Sequence, residues 1–185
     1  TKEVNYNWKQ AENLAMEIKK EIKEKLNLTC SVGISPNKLI SKIASDFQKP
    51  NGLTIVLPEK VDEFLEPLKI RNIPGVGKKT EERLSEMNFQ TVKDLKELDV
   101  FTLNKEFGRK NGTYIFNAVR GIDNEPVKIR EPNTQYSKII TLKKDSTEFD
   151  FLLENFKQLC NELHQIVFNK NKMFKSVGIQ LIQSD

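Results

Sequence analysis

Two stretches carry residues whose types and spacing could do chemistry. In Ile73-Pro74-Gly75-Val76-Gly77-Lys78, two glycines permit a tight hairpin whose backbone amides lie uncovered by side chains. A helix predicted from Lys78 begins at once, so its free N–H groups and positive dipole end face the same spot. Such a hairpin suits a phosphate diester and reads backbone rather than bases. Arg71, Lys78 and Lys79 add charge beside it. The same residues also suit an ordinary glycine-rich turn between helices. Gly108 and Gly112 frame a second, looser hairpin with Arg109 and Lys110. The second stretch is a stripe. Lys38, Lys42, Ser45 and Lys49 fall on one face of a predicted helix. Lysines are point charges on flexible stems, so Lys38, Lys42 and Lys49 could meet one polyanion, a nucleotide triphosphate or DNA backbone. A solvated helix face reads the same way.

Other chemistries find little support. Phosphoryl transfer uses carboxylates that hold divalent metal. No Asp-x-Asp or Asp-Glu pair lies on an apolar strand: Asp62-Glu63 and Glu81-Glu82 sit in polar helix faces, and Asp46 is the only acid near the lysine stripe. A Walker-type phosphate loop is absent. One histidine, His164, excludes most histidine-based catalysis, and Cys30 and Cys160 lie too far apart in sequence to suggest a disulfide framework or a zinc site.

The elements that must position these residues follow from pattern. At 185 residues, with 37% hydrophobic and 30% charged residues, the chain suits one large domain or two to three small ones. No apolar run approaches the length of a membrane helix, and the N-terminus has no apolar signal core. The net charge of +4 is a weak field, so nucleic-acid binding requires local patches. Residues 1–58 carry nine lysines against six acids, whereas 59–132 balance.

A helix capped by Asn7 is predicted through Leu26, with Ala11, Leu14, Ile18 and Ile22 on one face. Leu28 to Ile34 alternates as a strand. Ser35-Pro36 reads as the start of the stripe helix, which should end before Pro50. Leu53 to Leu57 is a second strand. This order suggests a parallel β-α-β unit. Residues 59–122 read as short helices: one around Val61, Phe64 and Leu65, one from Lys78 to Met87 with Asn88 left-handed, one capped by Thr91 with Asp94, then Asp99 to Phe107 and Gly112 to Arg120. Glu125 to Gln135 reads as an extended linker. A strand over Tyr136 to Lys144, a helix capped by Thr147, and a strand through Val177, Ile179 and Leu181 close the chain.

These residues together resemble the Y-family translesion DNA polymerases, on the polymerase IV branch. The resemblance rests on Val32-Gly33-Ile34-Ser35-Pro36-Asn37-Lys38, Lys42-Ile43-Ala44-Ser45-Asp46, Lys49-Pro50-Asn51-Gly52, the Pro74-to-Gly77 hairpin, and Ala118-Val119-Arg120-Gly121-Ile122-Asp123-Asn124-Glu125-Pro126-Val127. It is collinear over nearly the whole chain. It implies an α+β, multi-domain fragment: the C-terminal part of a palm (1–58, partial β-α-β), an all-helical helix-hairpin-helix thumb (59–125), a linker (126–132), and the N-terminal half of an α/β little finger (133–185).

The resemblance implies roles as well. Lys49, Lys42 and Lys38 would meet the incoming nucleotide. Gly75, Val76, Gly77, Lys78 and Lys79 would grip a primer-strand phosphate, with Lys138 near the DNA backbone. The carbonyls of Arg71, Ile73 and Val76 would hold a structural cation. The intact enzyme would use Mg2+ bound by carboxylates absent from this chain, so the fragment alone is expected to be inactive. Expected partners are primer-template DNA, a deoxynucleoside triphosphate and a sliding clamp, the last through residues beyond this chain. The expected compartment is the cytoplasm, or the nucleus in a eukaryote. Faces built for a larger sheet predict self-association. The alternative is a non-catalytic DNA-binding helix-hairpin-helix module.

Overall fold

The computed structural model describes residues 7–129 and 135–182, which divide into two compact units, 1–127 and 128–185. In the first, α1 spans Trp8–Leu26. The Asn7 side chain accepts from the Gln10 amide, and Asn27 ends the helix in the left-handed region at φ 53°. Lys19, on the inner side of α1, donates to Asn51 Oδ1 at 2.8 Å and to the Gly52 carbonyl at 2.9 Å. One ammonium thus ties the helix to the turn before the second strand.

β1 (Val32–Ile34) and β2 (Leu53–Ile55) pair in parallel, Val32 with Leu53 and Ile34 with Ile55. Between them runs α2 (Lys38–Phe47), giving the β-α-β order that the pattern implies. Its cap differs from expectation. Asn37, not Ser35, closes the helix: its Oδ1 accepts from the Ile40 amide at 3.0 Å, while the Ser35 hydroxyl is spent on the Asn37 carbonyl at 2.8 Å. Asparagine caps as well as serine does, so the nearer residue wins and Pro36 stays outside the helix.

Five helical pieces follow: α3 (Val61–Leu65), a 3-10 turn (Ile70–Asn72), α4 (Lys78–Glu86), α5 (Val92–Lys96) and α6 (Val100–Ala118). Thr91 and Asp94 form the expected reciprocal capping box of α5. Asn88 takes a positive φ of 66°. α6 joins the two helices expected there, broken at Gly108, whose φ of 78° is not helical.

One apolar core unites these pieces. Ile40, Ile43 and Ala44 of α2 and Val56 belong to the same buried cluster as Leu65, Ile73, Leu84, Leu95, Leu103 and Ile115. It therefore crosses the position where the sequence places a boundary between residues 58 and 59. Burying each such large side chain contributes about 1.5–3 kcal/mol. α1 adds little to it: only Ala15 of that helix is buried, and Leu14, Ile18 and Leu26 are exposed.

The second unit is built on α7 (Phe149–Phe168). Its cap also differs from expectation. Glu148, not Thr147, precedes the helix, without a side-chain cap, and the Ser146 hydroxyl accepts from the Glu148 amide. The strands expected over 136–144 and through Val177, Ile179 and Leu181 do not pair among the described residues. Alternation marks a chain that can form half of a ladder, but a strand is stable only beside a partner. Residues 130–132 of the expected linker lie outside the described residues.

Candidate nucleic-acid interface

The Pro74–Gly77 hairpin is anchored by two buried side chains three residues apart. Ile73 and Val76 face the core at 1% and 6% exposure, while Gly75, Gly77, Lys78 and Lys79 are exposed. The Val76 amide closes the turn onto the Ile73 carbonyl at 3.1 Å. Gly75 sits at φ 86°, a left-handed conformation that glycine adopts without strain. Gly77 differs: its φ is −83°, and an added Cβ would meet nothing within 4 Å. The backbone does not need glycine there, so a bare position is explained by what approaches from outside. Among the described residues, the amides of Gly75, Gly77, Lys78 and Lys79 have no acceptor within the protein. α4 begins at Lys78 with Gly77 as its cap and no side chain closing that end. Four outward donors, a helix dipole and two lysines thus share one exposed turn.

Two side chains hold the hairpin from behind. The Tyr114 hydroxyl, from α6, donates to the Pro74 carbonyl, and the tyrosine ring lies 3.1 Å from where a Gly75 Cβ would stand. Burial, and then nearby Asp123, push the Tyr114 phenol above its ordinary value, so it remains a donor at neutral pH. Arg71 Nη1 donates to the Val76 carbonyl at 3.1 Å, with its Nε 3.9 Å from Glu81. Hence two of the three carbonyls expected to hold a cation are already engaged, Ile73 by an amide and Val76 by a guanidinium. Arg71 places its own positive charge at the Val76 carbonyl, and each of these carbonyl oxygens keeps a second lone pair.

The lysine stripe is exposed and preoccupied. Lys42 and Lys49 both pair with Asp46, Lys49 at 2.5 Å, and Lys38 reaches Glu125 at 2.8 Å. Hydrogen bonds from Lys42, then Lys49, hold the Asp46 carboxyl below the usual range. The three ammonium groups therefore do not converge on one point: two share an internal anion and the third leans toward the end of the helical region. A cleft of about 320 Å³ brings one lysine of the stripe, Lys42, beside the hairpin, lined also by Asp46, Arg71, Asn72, Gly75 and Val76. Lys138 belongs to the second unit, where it pairs with Glu162 at 2.8 Å.

The start of the stripe helix is fixed from far along the chain. The Leu39 amide donates to Asp123 Oδ2 at 3.1 Å, and the Asn37 side chain donates to the Gly121 carbonyl at 2.8 Å. Neither Asp123 nor Tyr114 was singled out from the sequence, because each acts across a long separation that helical periodicity does not report. Among the described residues, no group of three or more His, Cys, Asp or Glu gathers to hold a metal, and no helix is long and apolar enough to cross a membrane.

Comparison with known proteins matches both halves of the first unit. Residues 71–123 match the model described as "DNA polymerase-iota, thumb domain", and residues 1–46 match the impB/mucB/samB family. The whole chain is 66% identical to a DNA polymerase IV from Nitrosopumilus maritimus (strain SCM1), of which it covers 51%. Among solved structures, a Y-family DNA polymerase chimera of Dbh and Dpo4 matches with a TM-score of 0.81 and 32% identity, over 89% of this chain and 48% of that one. An insertion ternary complex of Dbh DNA polymerase matches with a TM-score of 0.66 and 33% identity, over 90% and 48%. The chain spans about half the length of the curated relatives it matches.

Proposed function

Since the chain belongs to the Y-family DNA polymerases, on the polymerase IV branch, we propose that it forms the DNA-gripping part of a lesion-bypass DNA polymerase, a DNA-directed nucleotidyltransferase. Residues 1–58 serve as palm, 59–125 as thumb, 126–132 as linker and 133–185 as little finger. The observation that carries this reading is the exposed hairpin with unspent amides at Gly75 and Gly77, backed by Lys78 and Lys79. Such a turn holds a primer phosphate without regard to sequence, which a polymerase needs because it advances over every sequence.

Lys49, Lys42 and Lys38 meet the triphosphate of the incoming nucleotide. Asp46 holds Lys42 and Lys49 in place, so a triphosphate gains two oriented cations by displacing one carboxylate. Lys138 contributes a further backbone contact. The complete enzyme uses a divalent metal, magnesium, which lowers the barrier to phosphoryl transfer. The carboxylates that the resemblance implies as its holders are absent from this sequence, so the 185-residue chain by itself is expected not to join nucleotides. The polymerase acts in the cytoplasm, and contact with a sliding clamp rests on residues outside this chain. The non-catalytic module is the weaker reading, since the relatives reported above are polymerases.

The test is binding of the chain to a primer-template duplex across a salt series. Affinity should fall steeply as salt rises, with a slope of about one phosphate per engaged lysine. No incorporation of nucleotide should accompany it in the presence of Mg2+. Binding that ignores salt, or none at low salt, contradicts the proposal.

A further inference from the structure

We propose that Tyr114 and Arg71 are positioning residues that aim the Gly75 and Gly77 amides at the DNA phosphate by locking the carbonyl on the far side of each peptide plane. The inference rests on the phosphate-gripping reading of the hairpin and names what sets its geometry. A peptide unit is planar, and in its trans form the C=O and the next N–H point in opposite directions. The Pro74–Gly75 and Val76–Gly77 peptides are both trans, the Lys49–Pro50 bond being the only cis peptide among the described residues. Fixing a carbonyl therefore fixes the direction of the following amide. Tyr114 holds the Pro74 carbonyl, so the Gly75 N–H points away from Tyr114. Arg71 holds the Val76 carbonyl, so the Gly77 N–H points away from Arg71.

The two locks alternate along the turn and come from different elements: α6, and the 3-10 turn that precedes the hairpin. The peptide between them is fixed by the backbone itself, the Val76 amide bonding to the Ile73 carbonyl. Glycine at 75 has the widest choice of backbone conformations of any residue. Without a lock, the Pro74–Gly75 plane is free to rotate and its donor is aimed only part of the time. The tyrosine ring against Gly75 limits that rotation sterically, and the hydroxyl selects the direction.

The experiment follows the Gly75 and Gly77 amide resonances during titration with a short primer-template duplex, in the wild-type chain, in Tyr114→Phe and in Arg71→Met. Tyr114→Phe keeps the ring and the charge and removes only the O–H. In the wild type both amides should shift on adding DNA. In Tyr114→Phe the Gly75 response should shrink while Gly77 still responds, and affinity should fall about three- to tenfold with the salt slope unchanged. In Arg71→Met the pattern should reverse, Gly77 losing its response. A merely structural role would move both amides together in either variant, and that result overturns the inference, as does a wild-type response in both variants. If the wild-type amides do not respond to DNA at all, the phosphate-gripping reading itself fails and the inference falls with it.

Discussion

The two units use their helices to opposite effect. In the first, short helices with strong local closures share one core, in which Leu65, Leu84, Leu95 and Leu103 are fully buried. In the second, the long helix α7 carries Phe149, Phe151 and Phe168 exposed, and Val167 is its one buried residue. Caps and left-handed turns let the first unit fold on information within a few residues, whereas the second has an apolar face that no paired strands cover among the described residues. A helix gains most of its stability in a protein from packing its apolar face, so the two units should respond differently to the same kind of change.

The largest expected contrast comes from trimming leucine. Leu84→Ala should cost about 2–5 kcal/mol, the range for a fully buried leucine. Leu159→Ala, on the half-buried face of α7, should cost about 1 kcal/mol or less. Urea unfolding of each variant checks this; equal costs would mean that α7 is packed as tightly as the core of the first unit. Next in size is association. The exposed apolar residues of α7, with Leu14, Ile18 and Leu26 of α1, should drive self-association that grows with concentration in light scattering. A monomer at every concentration would show that these faces are tolerated in water.

The smallest effects concern the closures of the first unit. Thr91→Ala removes half of a capping box and should cost about 1 kcal/mol. Hydrogen bonds from Thr91 and Gln90 lower the Asp94 carboxyl, and hydrogen bonds from Thr102 lower that of Asp99. A carboxyl lowered in the folded state adds stability that is complete above its unfolded value, about 3.9. That stability is lost as pH falls through the lower folded value. Acid unfolding of the first unit should therefore begin below about pH 4, and replacing both aspartates with asparagine should flatten this part of the curve. A profile unchanged in the double variant would remove these caps from the account.

What the sequence made legible was what acts over short range. Asn7, Thr91, Asp99, Asn88 and Gly108 punctuate the chain where their chemistry says they should. The parallel β-α-β unit and the exposed glycine hairpin were legible for the same reason. At α2 the local rule chose among near-equal caps and took Ser35 over Asn37. The stripe spacing held for Lys38 and Lys42, but α2 ends at Phe47 and leaves Lys49 beyond it, and Asp46 and Glu125 draw the lysines apart. Tyr114 meets Pro74 from 40 residues away, a contact that only the packed core creates. The same long-range logic explains why the expected strands of the second unit do not pair among the described residues.

The most direct test of the central claim, that the hairpin grips DNA backbone, is Gly77→Val, measured for duplex affinity at low salt and for unfolding free energy. Position 77 has an ordinary φ and open space for a side chain, so unfolding should change by about 1 kcal/mol or less. The valine stands between the outward amides and the phosphate, so affinity should fall at least about tenfold. Unchanged affinity in a folded Gly77→Val chain would contradict the account.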